Sequence, residues 1–516
     1  MGRNSKLFTR QGLKKEISSF EKGAIVKRKK GLIRFALVYP NSYQAGMSSL
    51  GFQSLYSLIN ELDNAACERV FLPDKGETQN SITSCETGLA LSLFDIIAFS
   101  VSFENDYLNI VSILRNSGIP LQSSKRSNDH PLVIAGGVAC FLNPEPIALF
   151  IDCFLLGEAE SLIKEFFDIY NRHGRSMVTA SAVTKNESHL IPDSWKDLDT
   201  LCSTSGINIK PRSKIHKPVS REELKKRFAR ELKGAYVPSL YRPIYSKNGK
   251  YSGLVPEYDD IPEKIKVRRV KDLAGIQTTT TIITSKTAFK NIFLIETGRG
   301  CPHGCRFCSA GFIYRPPRFY PADVIIDAMD QAKKVTDRVG LVSAAVSDHP
   351  EINQICLSGM EKNLKISFSS LRVDALTDDL IKNLVNSGAK TATIAPEAGS
   401  ERMRCIINKK ITEDEILSAA GRLIEAGIIN LKLYFMIGLP FEEDDDVEEI
   451  VVLTEKIRNR FLAASRKQKK IGTITLSVNP FVPKPGTPFQ WSAMLPLSGL
   501  KKRLKIIKSG LKKSPN

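Results

Sequence analysis

The chain has 516 residues, of which 42% are apolar and 25% charged, a composition typical of a globular protein with two or three domains. No apolar run reaches the ~18 residues of a membrane helix, and the basic N-terminus lacks an apolar signal core. We therefore expect a cytoplasmic protein with no transmembrane segment. The net charge of +19 favours an anionic partner such as nucleic acid, with a solvated basic surface as the simpler alternative.

Residues 30–172 alternate short apolar runs with stretches of helical spacing. Buried strands are predicted at "LIRFALVYP", "FDIIAFSVS", "PLVIAGG" and "FIDCFLLGE". Helices are predicted between them, for example at "NDYLNIVSILRNSG". This alternation predicts an α/β domain with a doubly wound parallel sheet, which binds ligands at the carboxyl ends of its strands.

Residues 173–290 are rich in Pro, Lys, Ser and Thr and have weak periodicity. We interpret them as a bridging segment with short strands, for example in "GAYVPSLYRPIYS". At the other end of the chain, residues 492–516 form a basic amphipathic tail. Basic residues therefore concentrate in three places: near the N-terminus, around "REELKKRFARELK" and in this tail.

Residues 291–491 resume the alternation of strands and helices. The six predicted strands are "NIFLIET", "RVGLVSAAV", "NLKISFSS", "AKTATIAPE", "NLKLYFMIG" and "TITLSVNPFV". Thr412 and Glu415 form a capping box at the start of one of the helices between them. Six strand–helix units in a row predict a partial (βα)6 TIM-type barrel, whose working face is the carboxyl end of the strands.

Three of the ten cysteines are concentrated in one loop. Cys301, Cys305 and Cys308 have the spacing C-x3-C-x2-C and follow the first strand of the predicted barrel. The other seven are scattered, and we expect them to be small buried hydrophobic residues. Thiolates suit zinc or an iron–sulfur cluster, but a zinc site normally has a fourth ligand, and no second cysteine pair exists. His303 is badly placed for that position, so the spacing favours a cluster with one iron free of protein ligands.

This motif, with the aromatic Phe307 before its last cysteine, resembles that of the radical S-adenosylmethionine (SAM) superfamily. The resemblance implies a [4Fe-4S] cluster on the three cysteines and SAM on the open iron. One electron, supplied by a donor such as flavodoxin or ferredoxin, then cleaves SAM to a 5′-deoxyadenosyl radical.

Further segments resemble the nucleoside-binding motifs of the same superfamily. "TIAPEAGSERMR" implies that Glu397 and Ser400 contact the ribose. "LYFMIGLP" implies that the backbone around Ile437 and Gly438 meets the adenine. Gly399 and Gly438 lie in these segments, and a plain turn is the alternative explanation for both.

One segment departs from the superfamily pattern. "SAAVSDHP" stands where the superfamily commonly has G-G-E-P, which binds the methionine amine. We expect Ser347 and Asp348 to supply the acceptors, with Ser343 as the alternative. His349 fits a helix start as well as a catalytic residue.

Most of the chain resembles an uncharacterised family of radical SAM enzymes with an N-terminal Rossmann-like, cobalamin-binding-like domain. The D-x-H-x-x-G motif, which supplies a histidine ligand to cobalamin, is absent, and the first 129 residues contain no histidine. The resemblance therefore leaves cobalamin binding open. Longer members of the family suggest that a partner chain supplies a missing C-terminal part.

We interpret the chain as a radical SAM enzyme. It forms a 5′-deoxyadenosyl radical or, with cobalamin, methylates an unactivated carbon, on RNA or a ribonucleoprotein as the hypothetical substrate. The alternative is an iron–sulfur redox-sensing RNA-binding protein without radical catalysis. A structural zinc protein is the third hypothesis.

Overall fold

The structure is a computed structural model that describes residues 20–27, 31–73, 82–174, 219–369, 371–468 and 472–512. The strands are β1 (Glu21–Lys22), β2 (Ile33–Ser42), β3 (Ala65–Leu72), β4 (Ile96–Ser100), β5 (Leu132–Gly136), β6 (Cys153–Leu155), β7 (Ala235–Tyr236), β8 (Tyr241–Tyr245), β9 (Tyr251–Pro256), β10 (Ile283–Thr284), β11 (Phe293–Glu296), β12 (Gly298–Arg299), β13 (Arg318–Phe319), β14 (Arg338–Val342), β15 (Lys365–Phe368), β16 (Thr391–Glu397), β17 (Asn430–Ile437) and β18 (Ile474–Pro480). The α-helices are α1 (Tyr43–Met47), α2 (Leu50–Glu61), α3 (Tyr107–Asn116), α4 (Val138–Leu142), α5 (Ile163–Ile169), α6 (Arg221–Glu231), α7 (Ala310–Ile313), α8 (Ala322–Lys333), α9 (Ile352–Glu361), α10 (Asp378–Asn386), α11 (Glu401–Ile406), α12 (Glu413–Glu425), α13 (Asp444–Gln468) and α14 (Leu497–Leu511).

The chain divides into two compact units. The first unit comprises Val26–Ser42 and Ile59–Arg269, and the second comprises Met1–Ile25, Tyr43–Leu58 and Val270–Asn516. Among the described residues, no helix combines the length and the apolar character needed to cross a membrane.

The first unit contains a six-stranded sheet in the order β3-β2-β4-β5-β6-β7. Neighbours from β3 to β6 are parallel, and β7 is antiparallel. The chain moves from β2 to one side and then returns to the other side of β2, so the topological switch point lies between β2 and β4. The four strands predicted in residues 30–172 are present, and β7 is one of the short strands predicted in "GAYVPSLYRPIYS", whereas β3 was not predicted.

The segment after residue 219 packs onto this sheet through helix α6. Phe228 of α6 stacks on Phe166 of α5 with ring centroids 4.9 Å apart. Arg221, at the start of α6, donates to the buried Asp152 at 2.7 Å, and Arg126 pairs with the same carboxylate at 3.0 Å. The first unit therefore continues well beyond residue 172, and the bounds of the individual domains stay predictions.

The second unit contains the six strands predicted from residue 291 onward, in two parallel three-stranded sheets. Their orders are β11-β14-β15 and β16-β17-β18. A cavity of about 530 Å³ lies between β15 and β16 and is lined by backbone and side chains of both strands, including Ser367 and Thr393. The capping box of Thr412 and Glu415 is confirmed at the start of α12, whereas helix α9 was not predicted.

Helix α14 forms most of the basic tail and packs on the second unit. Ile507 is buried in the core of the second sheet, and Leu500 and Leu504 pack against the same core. Leucine and isoleucine at positions 500, 504 and 507 have the i, i+4, i+7 spacing of one helix face. The tail is therefore an amphipathic helix, as its sequence predicts.

Candidate active site

The three-cysteine loop, residues 300–309, follows β11 in the second unit. Strands β12 and β13 pair antiparallel on either side of it, so the chain leaves the sheet, forms the loop and α7, and returns. Gly300 has a φ of +88°, and a Cβ at this position would lie 2.5 Å from the carbonyl oxygen of Tyr314. Glycine is required here because any side chain would clash with the backbone of Tyr314, which follows α7.

Hydrogen bonds to the backbone of the loop hold it against segments that follow β16 and β18. The Arg306 N–H donates to the Ile407 carbonyl at 2.9 Å, and the Asn408 side-chain amide donates to the Gly304 carbonyl at 2.8 Å. The Phe489 N–H donates to the Arg306 carbonyl at 3.2 Å. Contacts between residues about 100 to 180 positions apart therefore fix the loop.

The three thiols influence one another electrostatically. Burial raises the pKa of Cys301, and a backbone hydrogen bond with His303 partly offsets this. Burial also raises the pKa of Cys305, and Lys409 acts against it. Cys308 raises the pKa of both other thiols, so the three lie within interaction range. A bound metal centre reverses this effect, since coordination deprotonates thiols.

This donor set, three thiols on one loop, fits an iron–sulfur cluster. Phe307 between them packs against the small apolar core of Met403, Ile407 and Phe481 and their neighbours. Within the described ranges, no group of three or more His, Cys, Asp or Glu side chains is arranged around a single metal ion. In a cluster, by contrast, the thiolates bind several irons rather than one.

The segment "SAAVSDHP" folds as a short 3₁₀ turn after β14. Asp348 faces the cysteine loop, with its carboxylate 3.0 Å from the His303 Nε2. The buried Ser347 hydroxyl accepts a hydrogen bond from the Arg372 N–H at 3.1 Å. Both residues therefore lie beside the loop, and their role as acceptors for the methionine amine stays a prediction.

His349 has a structural function in this turn. Its Nε2 lies 2.8 Å from the Tyr320 carbonyl, and its Nδ1 accepts from the Glu351 N–H, just before α9. Burial lowers the pKa of His349, which favours the neutral ring. Both ring nitrogens thus have protein partners, and of the two explanations left open by the sequence this favours the helix start.

Glu397 ends β16 in an unusual backbone conformation. Its φ is +69°, which is uncommon for a residue with a Cβ, and the pairing with β17 is irregular at this point. The side chain is 17% exposed and lies 3.2 Å from the Nζ of Lys409. Strained backbone is characteristic of functional sites, and here the strain directs a carboxylate toward the lysine beside Cys305.

Ser400 caps helix α11. Its hydroxyl accepts from the Met403 N–H at 3.0 Å and donates to Asp446 at 2.6 Å. The single hydroxyl proton is therefore already engaged within the protein. A contact between Ser400 and a ribose stays a prediction and would have to use the remaining acceptor site of the oxygen.

Ile437 and Gly438 lie at the carboxyl end of β17. The Ile437 carbonyl accepts from the Phe481 N–H at 2.8 Å, and the Gly438 N–H donates to Glu442 at 2.6 Å. Gly438 has a φ of +77°, and a Cβ there would lie 3.1 Å from the side chains of Leu495 and Leu500. The glycine is required by its backbone and by the close neighbours, and an adenine contact stays a prediction.

The sequence interpretation missed three residues at this site. Asn408 holds the cysteine loop, and Lys409 and Arg372 partly offset the rise that burial causes in the pKa of Cys305. Asn408 and Lys409 follow β16, and Arg372 follows β15. None of the three belongs to a recognisable motif. Asn408 and Lys409 belong to the run "NKK", and its position shortly after "PEAGSERMR" is the one feature of the sequence that could have pointed to them.

The expectation for the remaining cysteines is partly wrong. Cys67, Cys140, Cys153 and Cys356 are buried as expected, but Cys85 is half-buried and Cys405 is exposed. Cys405 lies on the outward side of the short helix α11, where no core is available to cover it. Cys202 lies outside the described residues.

Comparison with known proteins agrees with this arrangement. A family model described as radical SAM proteins, N-terminal, matches residues 51–190, and the radical SAM superfamily model matches residues 295–454. An uncharacterised protein of Methanocaldococcus jannaschii is 30% identical over 480 residues, which are 93% of this chain and 83% of the relative. The chain belongs to the radical SAM superfamily, and it is therefore an enzyme of a class that uses a [4Fe-4S] cluster and SAM.

More distant similarities cover smaller parts or the fold alone. An uncharacterised methyltransferase of Pyrococcus horikoshii is 24% identical over 169 residues, 32% of this chain and 37% of the relative. The radical SAM methyltransferase TsrM from Kitasatospora setae, solved with tryptophan and a SAM analogue, matches with a TM-score of 0.52 and 12% identity. That match covers 89% of this chain and 75% of TsrM. A second TsrM structure, with cobalamin and a [4Fe-4S] cluster bound, matches with a TM-score of 0.50.

Proposed function

We propose that this enzyme binds a [4Fe-4S] cluster through Cys301, Cys305 and Cys308 at the mouth of a partial (βα)6 barrel. The observation that carries the proposal is the convergence on this loop of the segments after β14, β15 and β16. When bound, the cluster supplies the electron that cleaves SAM. Asp348 and Ser347 accept hydrogen bonds from the methionine amine of SAM. The nucleoside of SAM is positioned by Glu397, Ser400, Ile437 and Gly438.

Methyl transfer to an unactivated carbon, with cobalamin in the first unit, is the reaction we favour. The TsrM structures, which match most of the chain in fold, support this choice. At the switch point between β2 and β4, the Asn41 amide donates to Asp106 at 2.8 Å. The other oxygen of Asp106 is buried and has no hydrogen-bond partner within the described residues. Open parallel sheets bind ligands at such a switch point, and a carboxylate oxygen without a partner there suits a ligand rich in amide donors, of which cobalamin is one.

Anaerobic turnover tests the proposal. The full chain is reconstituted with iron and sulfide, reduced and incubated with methyl-labelled SAM, with and without hydroxocobalamin. We expect 5′-deoxyadenosine without hydroxocobalamin, or transfer of label to cobalamin when hydroxocobalamin is present. A cluster that forms but gives neither product would select the redox-sensing RNA-binding alternative. Zinc without acid-labile sulfide would select the structural zinc protein.

For the substrate, we propose RNA or a ribonucleoprotein, on the basis of charge. The basic segment "REELKKRFARELK" weakens this proposal, because several of its cations are paired within the chain: Lys225 with Glu222, Arg227 with Glu223, and Arg230 with Asp260. Helix α14 supports it, because Lys501, Lys505 and Lys508 are exposed and share one face at i, i+4, i+7 spacing. The N-terminal basic segment lies mostly outside the described residues.

Binding to single-stranded RNA should depend on these three lysines. The triple variant Lys501→Gln, Lys505→Gln, Lys508→Gln should make the slope of log K against log[salt] about 2 less negative, since each phosphate contact in a single strand contributes about 0.7. Filter binding at several salt concentrations measures the slope. The control variant Arg227→Gln, Arg230→Gln loses cations that are already paired and should keep the wild-type slope. Equal slopes for wild type and the triple variant would contradict the assignment of α14.

A further inference from the structure

Lys409 occupies a constrained position beside the cysteine loop. Its neighbours Asn408 and Lys410 both have a φ of +55°, in the left-handed region that residues with a Cβ seldom adopt. Asn408 is held by its bond to the Gly304 carbonyl, and the Lys409 N–H donates to the Arg404 carbonyl at 2.9 Å. This strained turn fixes the backbone from which the Lys409 side chain extends.

The Lys409 side chain is 10% exposed and points to Glu397, whose carboxylate is 3.2 Å from its Nζ. Lys409 also acts on Cys305, where it is the strongest influence opposing the effect of burial. The ammonium group therefore lies 3.2 Å from a carboxylate and within electrostatic range of Cys305, next to the residue whose side chain is bonded to the cysteine loop. A buried lysine is uncommon unless it is paired, and here a thiolate or cluster adds a second negative neighbour.

Arg372 supplies a second cation in the same place. Its guanidinium is paired with Asp374 at 2.8 Å and donates to the Lys409 carbonyl at 3.4 Å. It also partly offsets the rise that burial causes in the pKa of both Cys301 and Cys305. Arg372 follows β15 and Lys409 follows β16, so the bond from the Arg372 guanidinium to the Lys409 carbonyl links the ends of two separate sheets.

We propose that Lys409 is a positioning residue that sets the reduction potential of the cluster on Cys301, Cys305 and Cys308, with Glu397 acting in the opposite sense. The inference rests on the proposed function, because it requires a cluster at these cysteines. One-electron reduction breaks no bond and adds one negative charge at the cluster. A nearby cation stabilises that charge and raises the potential, whereas a nearby carboxylate lowers it.

The test is an anaerobic potentiometric titration of the reconstituted full chain without SAM, followed by the electron paramagnetic resonance signal of the reduced cluster. Lys409→Gln should reduce the equilibrium constant for reduction about tenfold, which is 59 mV for a one-electron couple. Glu397→Gln should increase it, because it removes the negative charge and leaves Lys409 unneutralised. Lys409→Arg should restore the wild-type potential.

Lys410→Gln is the matched control, because Lys410 is adjacent and exposed. The reduction potential of the cluster in Lys410→Gln, and the iron and sulfide content of this variant, should equal those of wild type. If Lys409→Gln fails to assemble a cluster, the Glu397→Gln variant still decides: a potential at or below wild type would overturn the inference. Shifts of the same sign in Lys409→Gln and Glu397→Gln would indicate a merely structural effect and would also overturn it. Absence of any cluster in the wild type would instead contradict the proposed function.

Discussion

Replacing Cys305 by alanine is expected to abolish the iron–sulfur absorbance, or to leave a residual cluster with no cleavage of SAM. Cys305 is 8% exposed, and the pKa effects on its thiol show Cys301, Cys308 and two cations around it. Removal of one of three thiolates from a cluster that already lacks a fourth protein ligand leaves too few donors to hold it. Iron and sulfide analysis, with assay for 5′-deoxyadenosine, measures both outcomes.

Cys405→Ala is the control for this experiment. Cys405 is exposed on α11, so its removal changes neither the core nor the loop. We expect wild-type cluster content and wild-type cleavage for this variant. Full cleavage activity in Cys305→Ala would exclude the three-cysteine loop as the site of the cluster, whatever the behaviour of the control.

Replacing Asp152 by alanine is expected to destabilise the full chain by about 3–5 kcal/mol. Asp152 is completely buried, accepts from the Val133 N–H at 2.8 Å and neutralises both Arg126 and Arg221. Without the carboxylate, two guanidinium groups remain in the interior with carbonyl partners but no counter-charge. The free energy of unfolding in urea, followed by circular dichroism, measures the loss.

Glu165→Ala provides the comparison, because it breaks an ion pair of the same unit at the surface. Glu165 is half-exposed and pairs with Arg268 at 2.9 Å. Exposed pairs contribute about 1 kcal/mol or less, so this variant should unfold close to the wild-type urea concentration. If the two variants lose the same free energy, Asp152 is not the internal counter-charge that joins α6 to the sheet.

Local patterns were sufficient to predict the regular elements of the second unit. Its six strands appear where the apolar runs predicted them, because their sequences are short apolar runs separated by turn residues and helical stretches. The first unit shows the limit of this approach. Strand β3 was missed because Glu68 and Arg69 interrupt its apolar pattern, yet both are buried. Arg69 pairs with Glu86 at 2.6 Å, a partner that no local pattern reveals.

The sequence by itself determined the chemistry expected of the candidate site: three thiols at C-x3-C-x2-C spacing predict a cluster loop, because they lie within eight residues of one another. Only the tertiary structure decided what surrounds that loop. Lys409, Arg372 and Asn408 are 67 to 104 residues from Cys305 and Gly304 along the chain and reach them through the ends of different strands. The charge around a cluster depends on distances in space, and motif spacing determines distance only over a few residues.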